Sequence, residues 1–595
     1  MSDLLQQAVA AHQAGDLARA ERLYREILAK RPDHPDALAL LGVVLDAKGD
    51  HAHAIELIER AITRDPKSPL FKFYLGNALM GARRVTEAAA VFRQAVTVQP
   101  NMAQGWYNLG NALRDANDWP GAIDAFRHAL VANPKYAEAS NNLALALAQE
   151  KQHDEAMRQA EKTVRLASDY GEGWLGLCNI AEQAGQHDRA RTAGEQAFRL
   201  MPGNHKAWFG YGVALSRLQR FEDSVAAYKR ALAIEPNRAD IWDNLGQSYQ
   251  ALNRLEEAED AYRKSVDAAA QTITNEAVRE VAEEEYGNRH WHLALVELLR
   301  GKLKEGFARY RARFKDVGGL KRPVYPSPLW RGENLNDKTI LITDEQGFGD
   351  TLMFCRYLPL LKKQGARVIF AVHPALAPLF QDWSGADEIV VHGQRISYFD
   401  YHAATFDLPH RLGTTFETIP NNVPYLPLLE PDDATRLESG GKPKVGVVWG
   451  GSPLHKNDAN RSVPLELFAK LFDAIDAQFF SLNRDLKPGD SALLPRLSVI
   501  DLAPRLKTFA DAARFMRQLD LVITCDTASA HLAGGLGVPV WTLLPFAPDW
   551  RWMLKRDDSP WYPTMKLFRQ PRIGDWESVV AQVKNALTSR TKPSH

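Results

Sequence analysis

The sequence predicts a helical solenoid followed by an α/β domain made of two parallel-sheet halves, and three observations carry that expectation. Prolines recur on a 34-residue step (Pro32, Pro66, Pro100, Pro134, Pro202, Pro236), with Ser168 holding the register where one is missing. The composition changes at Arg322, where RPVYPSPLWRGENLNDKT is rich in proline and polar residues. Beyond it, short β-branched runs alternate with helical stretches, the signature of strands crossing over through helices.

The other columns of the repeat keep the same step. Glycine stands at position eight (Gly42, Gly76, Gly110, Gly212, Gly246), alanine at position twenty (Ala20, Ala54, Ala88, Ala122, Ala156, Ala190, Ala258) and tryptophan at position four (Trp106, Trp174, Trp208, Trp242). Each unit reads as two short helices, with small residues where they cross, aromatics such as Tyr24, Phe92, Phe126, Tyr228 and Tyr262 filling the gap, and proline ending the second helix. The pattern resembles the tetratricopeptide repeat in eight copies over residues 1–272. Such repeats stack into a superhelix whose concave face binds extended segments of other proteins.

Residues 273–322 read as a helical cap carrying a degenerate half repeat, His290 to Phe314. In the first α/β half, residues 323–430, strands are expected at TILIT (339–343), RVIFAV (367–372) and EIVV (388–391). In the second half, residues 431–595, they are expected at KVGVVWG (444–450), FFSLN (479–483), DLVITCD (520–526) and PVWTLLP (539–545). The loop-rich stretch PLLEPDDATRLESGGKP (427–443) separates the halves and suggests a cleft between them.

Length and charge narrow the function. With 595 residues the chain exceeds a single core, and 73 basic against 73 acidic residues give no bulk attraction to nucleic acid or an anionic membrane. Three distant cysteines (Cys178, Cys355, Cys525) form neither a disulfide framework nor a zinc motif, which fits a reducing cytoplasm. The opening MSDLLQQAVAAHQAGD has no basic n-region, and no run approaches the ~18 apolar residues of a membrane span, so neither export nor anchoring is expected.

Three motifs could carry chemistry. In DEQGFGDTLMFCRYLPLL, Gly347 and Gly349 allow a tight turn and Asp350 with Thr351 begins a helix, a natural anion site. A dinucleotide fingerprint would want glycine at 352, where this chain has Leu352. Asp350 reads either as an N-cap or as a general base. In DLVITCDTASAHLAGGLGVPVW, Asp526, Thr527 and Ser529 stand at a helix start, where capping accounts for one of them, and His531 reads as a packed histidine or a ligand contact. In WGGSPLHKNDANRSVP, Gly450 and Gly451 allow close approach while Lys456 and Arg461 could neutralise phosphate, the alternative being an ordinary mobile loop. The tryptophans of PFAPDWRWMLKRDDSPWYP read first as packing. The α/β part contains no Asp-x-Asp, so no divalent metal site and no cofactor are expected.

EQGFGDTLMFCRYLP, GVVWGGSPLHKNDANRSVPL and DLVITCDTASAHLAGGLGVPVWTLLPFAPDWRW, with SPWYP and LFRQ, resemble bacterial fusions of tetratricopeptide repeats with a glycosyltransferase family 9 (heptosyltransferase-like) domain. Within that group the chain is similar to flagellin-modifying glycosyltransferases, and in plan to the O-linked N-acetylglucosamine transferases. The resemblance implies a metal-free GT-B fold, with the acceptor bound on the first half and a nucleotide-sugar on the second. It implies an inverting protein O-glycosyltransferase with Asp350 as base, with Asp526, Thr527 and His531 on the donor, and with flagellin as the acceptor held by the repeats. A flagellin acceptor would suggest a CMP-linked nonulosonic acid as donor. Two alternatives stay open: a heptosyltransferase-like enzyme acting on a lipid or polysaccharide, and a non-catalytic repeat scaffold. In the repeats, Asn108, Asn142 and Asn244 at position six and Asn77, Asn111 and Asn179 at position nine offer amides at regular steps, suited either to the backbone of an extended acceptor or to packing within the repeat.

Overall fold

The computed structural model describes residues 2–271, 279–314, 323–345, 347–452, 457–487 and 489–590. Lys456 lies outside the described residues. The chain forms two compact units, Met1–Asn237 and Arg238–His595.

The first unit consists of antiparallel helix pairs, from Ser2–Gln13 with Leu17–Lys30 to His205–Arg217 with Phe221–Ile234. Its glycine column exists because an aromatic or branched side chain of the second helix occupies the space a Cβ would take. A methyl at Gly76 would stand 2.4 Å from Phe92, and one at Gly110 would stand 2.5 Å from Phe126. Where position twenty-four is small, position eight is not glycine: Ala144 faces the repeat of Ala160, and Cys178 that of Gly194. The tryptophan column joins one repeat to the next, since Trp106 Nε1 donates to the Pro100 carbonyl (2.9 Å), Trp174 to Ser168 (2.9 Å) and Trp208 to Pro202 (3.0 Å). The turn inside each repeat holds position fifteen in the left-handed region. Glycine fills it at Gly15, Gly49 and Gly185, but Arg83, Asn117, Lys151 and Gln219 adopt the same conformation.

The second unit begins with the eighth repeat, Ala239–Ala251 and Leu255–Ala270, followed by helices Arg279–Leu299 and Leu303–Tyr310. The compact boundary therefore falls one repeat earlier than the compositional one at 272, because the eighth pair is bonded to residues far C-terminal to it. Asn253 Nδ2 donates to the Phe546 carbonyl (2.6 Å). Glu259, only 2% exposed, pairs with Arg300 (2.5 Å) and Lys302 (2.7 Å). A buried carboxylate is tolerable only with such partners.

Ten strands follow: β1 (Thr339–Thr343), β2 (Arg367–Val372), β3 (Glu388–Val391), β4 (Tyr401–Ala404), β5 (Lys444–Val448), β6 (Gln478–Ser481), β7 (Val499–Asp501), β8 (Leu521–Cys525), β9 (Val540–Leu544) and β10 (Met565–Arg569). They form two all-parallel sheets, ordered β3-β2-β1-β4 and β10-β9-β8-β5-β6-β7. Their central strands are apolar and buried on both faces, as helix-covered parallel sheets require. In the second sheet the chain leaves the neighbouring strands β5 and β8 in opposite directions, opening a crevice at their carboxyl ends, and in the first it leaves β1 toward β2 while β4 lies on the other side of β1. Trp550, Trp552, Trp561 and Tyr562 are buried in the core, as packing predicts. Among the described residues no helix is long and apolar enough to cross a membrane.

Candidate functional site

Loops leaving the carboxyl ends of β1, β5, β6, β8 and β9 meet around one cleft of about 940 Å³. Gly347, Gly349 and Asp350 line it from the first sheet. Gly450 and Arg461, then Asp526, Thr527, Ser529 and His531, line it from the second. Residues named from separate stretches of sequence thus share a single cavity.

On the first side, Gly347 is the N-cap of helix Phe348–Phe354 and Asp350 stands three residues in, so Asp350 is not the N-cap itself. Its Oδ2 accepts from the Gly347 N–H (3.1 Å), and its Oδ1 accepts from Arg551 Nη2. Each oxygen therefore has one donor and retains room for another. Neither Gly347 nor Gly349 has a positive φ, so a tight turn is not what requires them. At Gly349 the requirement is close approach: a Cβ there would stand 2.8 Å from His531 Cδ2 and 3.5 Å from the Ala528 Cα. The loop after β1 is anchored beneath by Arg313, fully buried between Glu345 (2.9 Å) and Asp407 (3.0 Å).

On the second side, Thr527 holds the N-cap position of helix Ala528–Gly535 without a side-chain capping bond, its hydroxyl instead lying 3.2 Å from that of Thr524. No side chain caps this helix, which leaves its positive end facing the cleft. Gly450 N–H donates to Asn483 (3.2 Å) and Gly451 N–H to Ser462 (3.2 Å), fixing the glycine pair beside Arg461. The His531 ring stacks on Trp552 (centroids 5.2 Å apart, 20° between planes), and its Nδ1 lies 2.8 Å from the Tyr562 hydroxyl. Burial, then the cations of Arg551 and Arg356, hold this histidine well below its ordinary pKa, so it is neutral.

Arg551, absent from the sequence-derived set, lies at the centre. Its Nη1 donates to Asp549 (2.7 Å), its Nη2 to Asp350, and its guanidinium lies 4.5 Å from the Trp550 ring centre. Burial raises the Asp350 carboxyl and Arg551 pulls it back toward the charged form. Asp526 is pushed up to about 6, first by burial and then by the Asp549 charge. The cleft can thus hold an anionic ligand at the second sheet and a carboxylate base at the first.

In the repeats, Asn108 Nδ2 donates to Asn77 Oδ1 (2.8 Å), and Asn142 to Asn111 (2.9 Å), linking position six of one repeat to position nine of the one before. Asn244 instead donates to its own helix at the Asp240 carbonyl (2.9 Å). Asn179 lies within the sixth repeat, 3.8 Å from where a Cβ at Gly210 would stand.

The repeats are tetratricopeptide repeats: models described by that name match residues 5–69, 73–136 and 107–170, and a second such model matches 205–271. Among curated proteins the chain is 30% identical over 329 residues to "Protein FlbA" of Caulobacter vibrioides, covering 49% of this chain and 54% of that one. It therefore spans about half the length of the curated relative it matches. Among solved structures it is similar to YrrB, titled a TPR protein with an unusual peptide-binding site (20% identity, TM-score 0.27, 30% of this chain and 92% of that one). It is also similar to a tetratricopeptide repeat protein from Parabacteroides merdae (17% identity, TM-score 0.36, 43% and 98%).

Proposed function

We propose that the chain is an inverting, metal-independent protein O-glycosyltransferase of GT-B type, moving a sugar from a nucleotide-sugar to a serine or threonine hydroxyl of a protein held by the repeats. The observation that carries this reading is the convergence of Asp350, Asp526, Thr527, Ser529 and His531 on one cleft at the carboxyl ends of two parallel sheets. In this reading Asp350 takes the hydroxyl proton as the acceptor oxygen bonds to the anomeric carbon from the face opposite the phosphate. The carbon–oxygen bond to phosphate breaks with its electron pair on the leaving nucleotide. That charge is met by the uncapped start of helix Ala528–Gly535, the hydroxyls of Thr527 and Ser529, and Arg461. Neutral His531 donates a hydrogen bond rather than a charge.

Flagellin is the proposed acceptor and a CMP-linked nonulosonic acid the proposed donor; both rest on the family resemblance. The test is incubation of the purified chain with flagellin and a panel of CMP-, UDP-, GDP- and ADP-sugars, read by intact mass. No mass gain with any donor, with or without EDTA, rejects the reading; a gain that EDTA abolishes rejects its metal independence.

A further inference from the structure

The imidazole of His531 is held on three sides. Trp552 stacks on one face, and the Tyr562 hydroxyl lies 2.8 Å from Nδ1. The Cδ2–Nε2 edge lies against the turn that carries Asp350, since a Cβ on Gly349 would stand 2.8 Å from Cδ2 and 3.5 Å from Nε2. His531 lines the cleft, and its Nε2 has no hydrogen-bond partner among the described residues and retains accessible surface. A neutral imidazole carries a single N–H. The nitrogen that holds it decides whether the cleft is met by a donor or by a lone pair.

The group behind Tyr562 makes that choice. Arg356 is only 3% exposed and, among the described residues, pairs with no carboxylate. Its guanidinium donates to the carbonyls of Met353 (2.6 Å) and Trp561 (2.6 Å) and to the Tyr425 hydroxyl (2.8 Å). It also lies over two phenol rings, 4.4 Å from the centre of Tyr425 and 4.6 Å from that of Tyr562. A cation on a phenol's face draws electron density from it and strengthens its O–H as a donor. Burial raises the pKa of the Tyr562 hydroxyl and Arg356 opposes that rise, so the group keeps its proton and offers it readily. The neighbouring Tyr425 hydroxyl is already committed, accepting from Arg356 and donating to the Leu352 carbonyl (2.8 Å). His531 Nδ1 is therefore the acceptor left for the Tyr562 proton.

We infer that Tyr562, with Arg356 against its ring, donates to His531 Nδ1 and so fixes the imidazole as the Nε2–H tautomer, which presents a hydrogen-bond donor to a ligand oxygen in the cleft. The reverse arrangement, Nδ1–H donating to Tyr562, would turn a lone pair toward the cleft. An ionised phosphate accepts and cannot donate, so it gains nothing from a lone pair at that place. That the ligand is a nucleotide-sugar rests on the proposed function; the tautomer does not. Tyr562 is a positioning residue and touches no reacting atom.

The tautomer is read by nitrogen-15 NMR on the full chain labelled in its histidines, without ligand, for wild type, Y562F and H531Q, the last identifying the His531 signals by their loss. Wild type is expected to show an unprotonated Nδ1 and a protonated Nε2. Y562F keeps the ring that packs against Gly534 and loses only the hydroxyl. In it the tautomer ratio should move roughly 2- to 10-fold toward Nδ1–H while the melting temperature stays near wild type. Calorimetry with a panel of CMP-, UDP-, GDP- and ADP-sugars should show the bound donor weakened in the same variant. A proton on Nδ1 in wild type, an unchanged ratio in Y562F, or a changed ratio with unchanged donor affinity would each overturn the inference. Failure of wild type to bind any of these sugars would instead reject the proposed function, with the tautomer decided by the spectra alone.

Discussion

Asp350 and Arg551 form an ion pair at the centre of the cleft although 201 positions separate them in the chain. The pair bears on the protonation of the proposed base, because burial raises its pKa and the guanidinium opposes that rise. Asp350→Asn should lower turnover by ~10² to 10⁴ while donor affinity stays near wild type. Arg551→Gln removes the cation, so Asp350 should titrate higher and the acid limb of kcat/KM should move to higher pH. Steady-state kinetics across pH checks both, and wild-type turnover in the asparagine variant would remove Asp350 from the mechanism.

Asp526 carries a stability cost imposed by its environment. Its folded pKa, pushed up to about 6, stands above its unfolded value, so the folded state binds the proton more tightly. Stability present at acid pH is therefore lost as pH rises through about 6. Asp526→Asn should be the more stable protein at neutral pH, by on the order of 2 kcal/mol, with the advantage vanishing near about pH 4. Thermal unfolding at several pH values measures it, and a pH-independent difference would contradict the account.

His531 and Gly349 should fail together. Gly349→Ala forces a methyl to within 2.8 Å of the imidazole, separating the two helices that face each other across the cleft. A cost of about 1–3 kcal/mol is expected, with weakened donor binding. His531→Ala vacates that space, so the double variant should recover most of the stability and none of the affinity. Calorimetry with the preferred nucleotide-sugar and a melting curve for each variant decide the point.

Two truncations separate the repeats from the cleft. Residues 238–595 keep the eighth pair with its Asn253–Phe546 bond and the Glu259 network, and should bind donor with native affinity. Residues 273–595 leave Arg300 and Lys302 without Glu259 and remove Gln250 from the cleft, and should be markedly less stable. Protein-acceptor capture should be lost in both. Retained capture by 238–595 would mean that the first seven repeats serve another purpose.

The sequence made β1, β2 and β3 legible to the residue because their apolar runs are short, buried and bounded by turns. The strands it did not reveal, β4, β7 and β10, lie at sheet edges as β3 does, but their segments YHAA, VID and MKLFR lack the run of three β-branched residues that marks EIVV. The glycines, threonine and aspartates of the cleft were readable from their place between strand and helix. Arg551 was not, since an arginine flanked by two tryptophans reads as packing until Asp350 is seen beside it. Nor did sequence reveal why Gly349 is glycine, because its constraint is a histidine from the other half. The left-handed turn at repeat position fifteen was equally hidden, since arginine, asparagine, lysine and glutamine occupy it in five repeats and glycine in three.

The size matching between positions eight and twenty-four runs within a single repeat. Gly110 accommodates Phe126 sixteen residues on, whereas Cys178 has Gly194 at the same spacing. Genetic exchange of a whole repeat therefore keeps this particular fit intact, because each repeat brings both halves of it, while fits that cross a repeat boundary, such as Gly194 against Tyr211 and Gly176 against Asn141, have to be met anew by the incoming neighbour. A crossover between the two helices of a repeat is different: it can set glycine against glycine, or cysteine against phenylalanine. For this fit the unit of inheritance is thus a complete helix pair, whereas the order of the pairs is constrained by the contacts that join one repeat to the next.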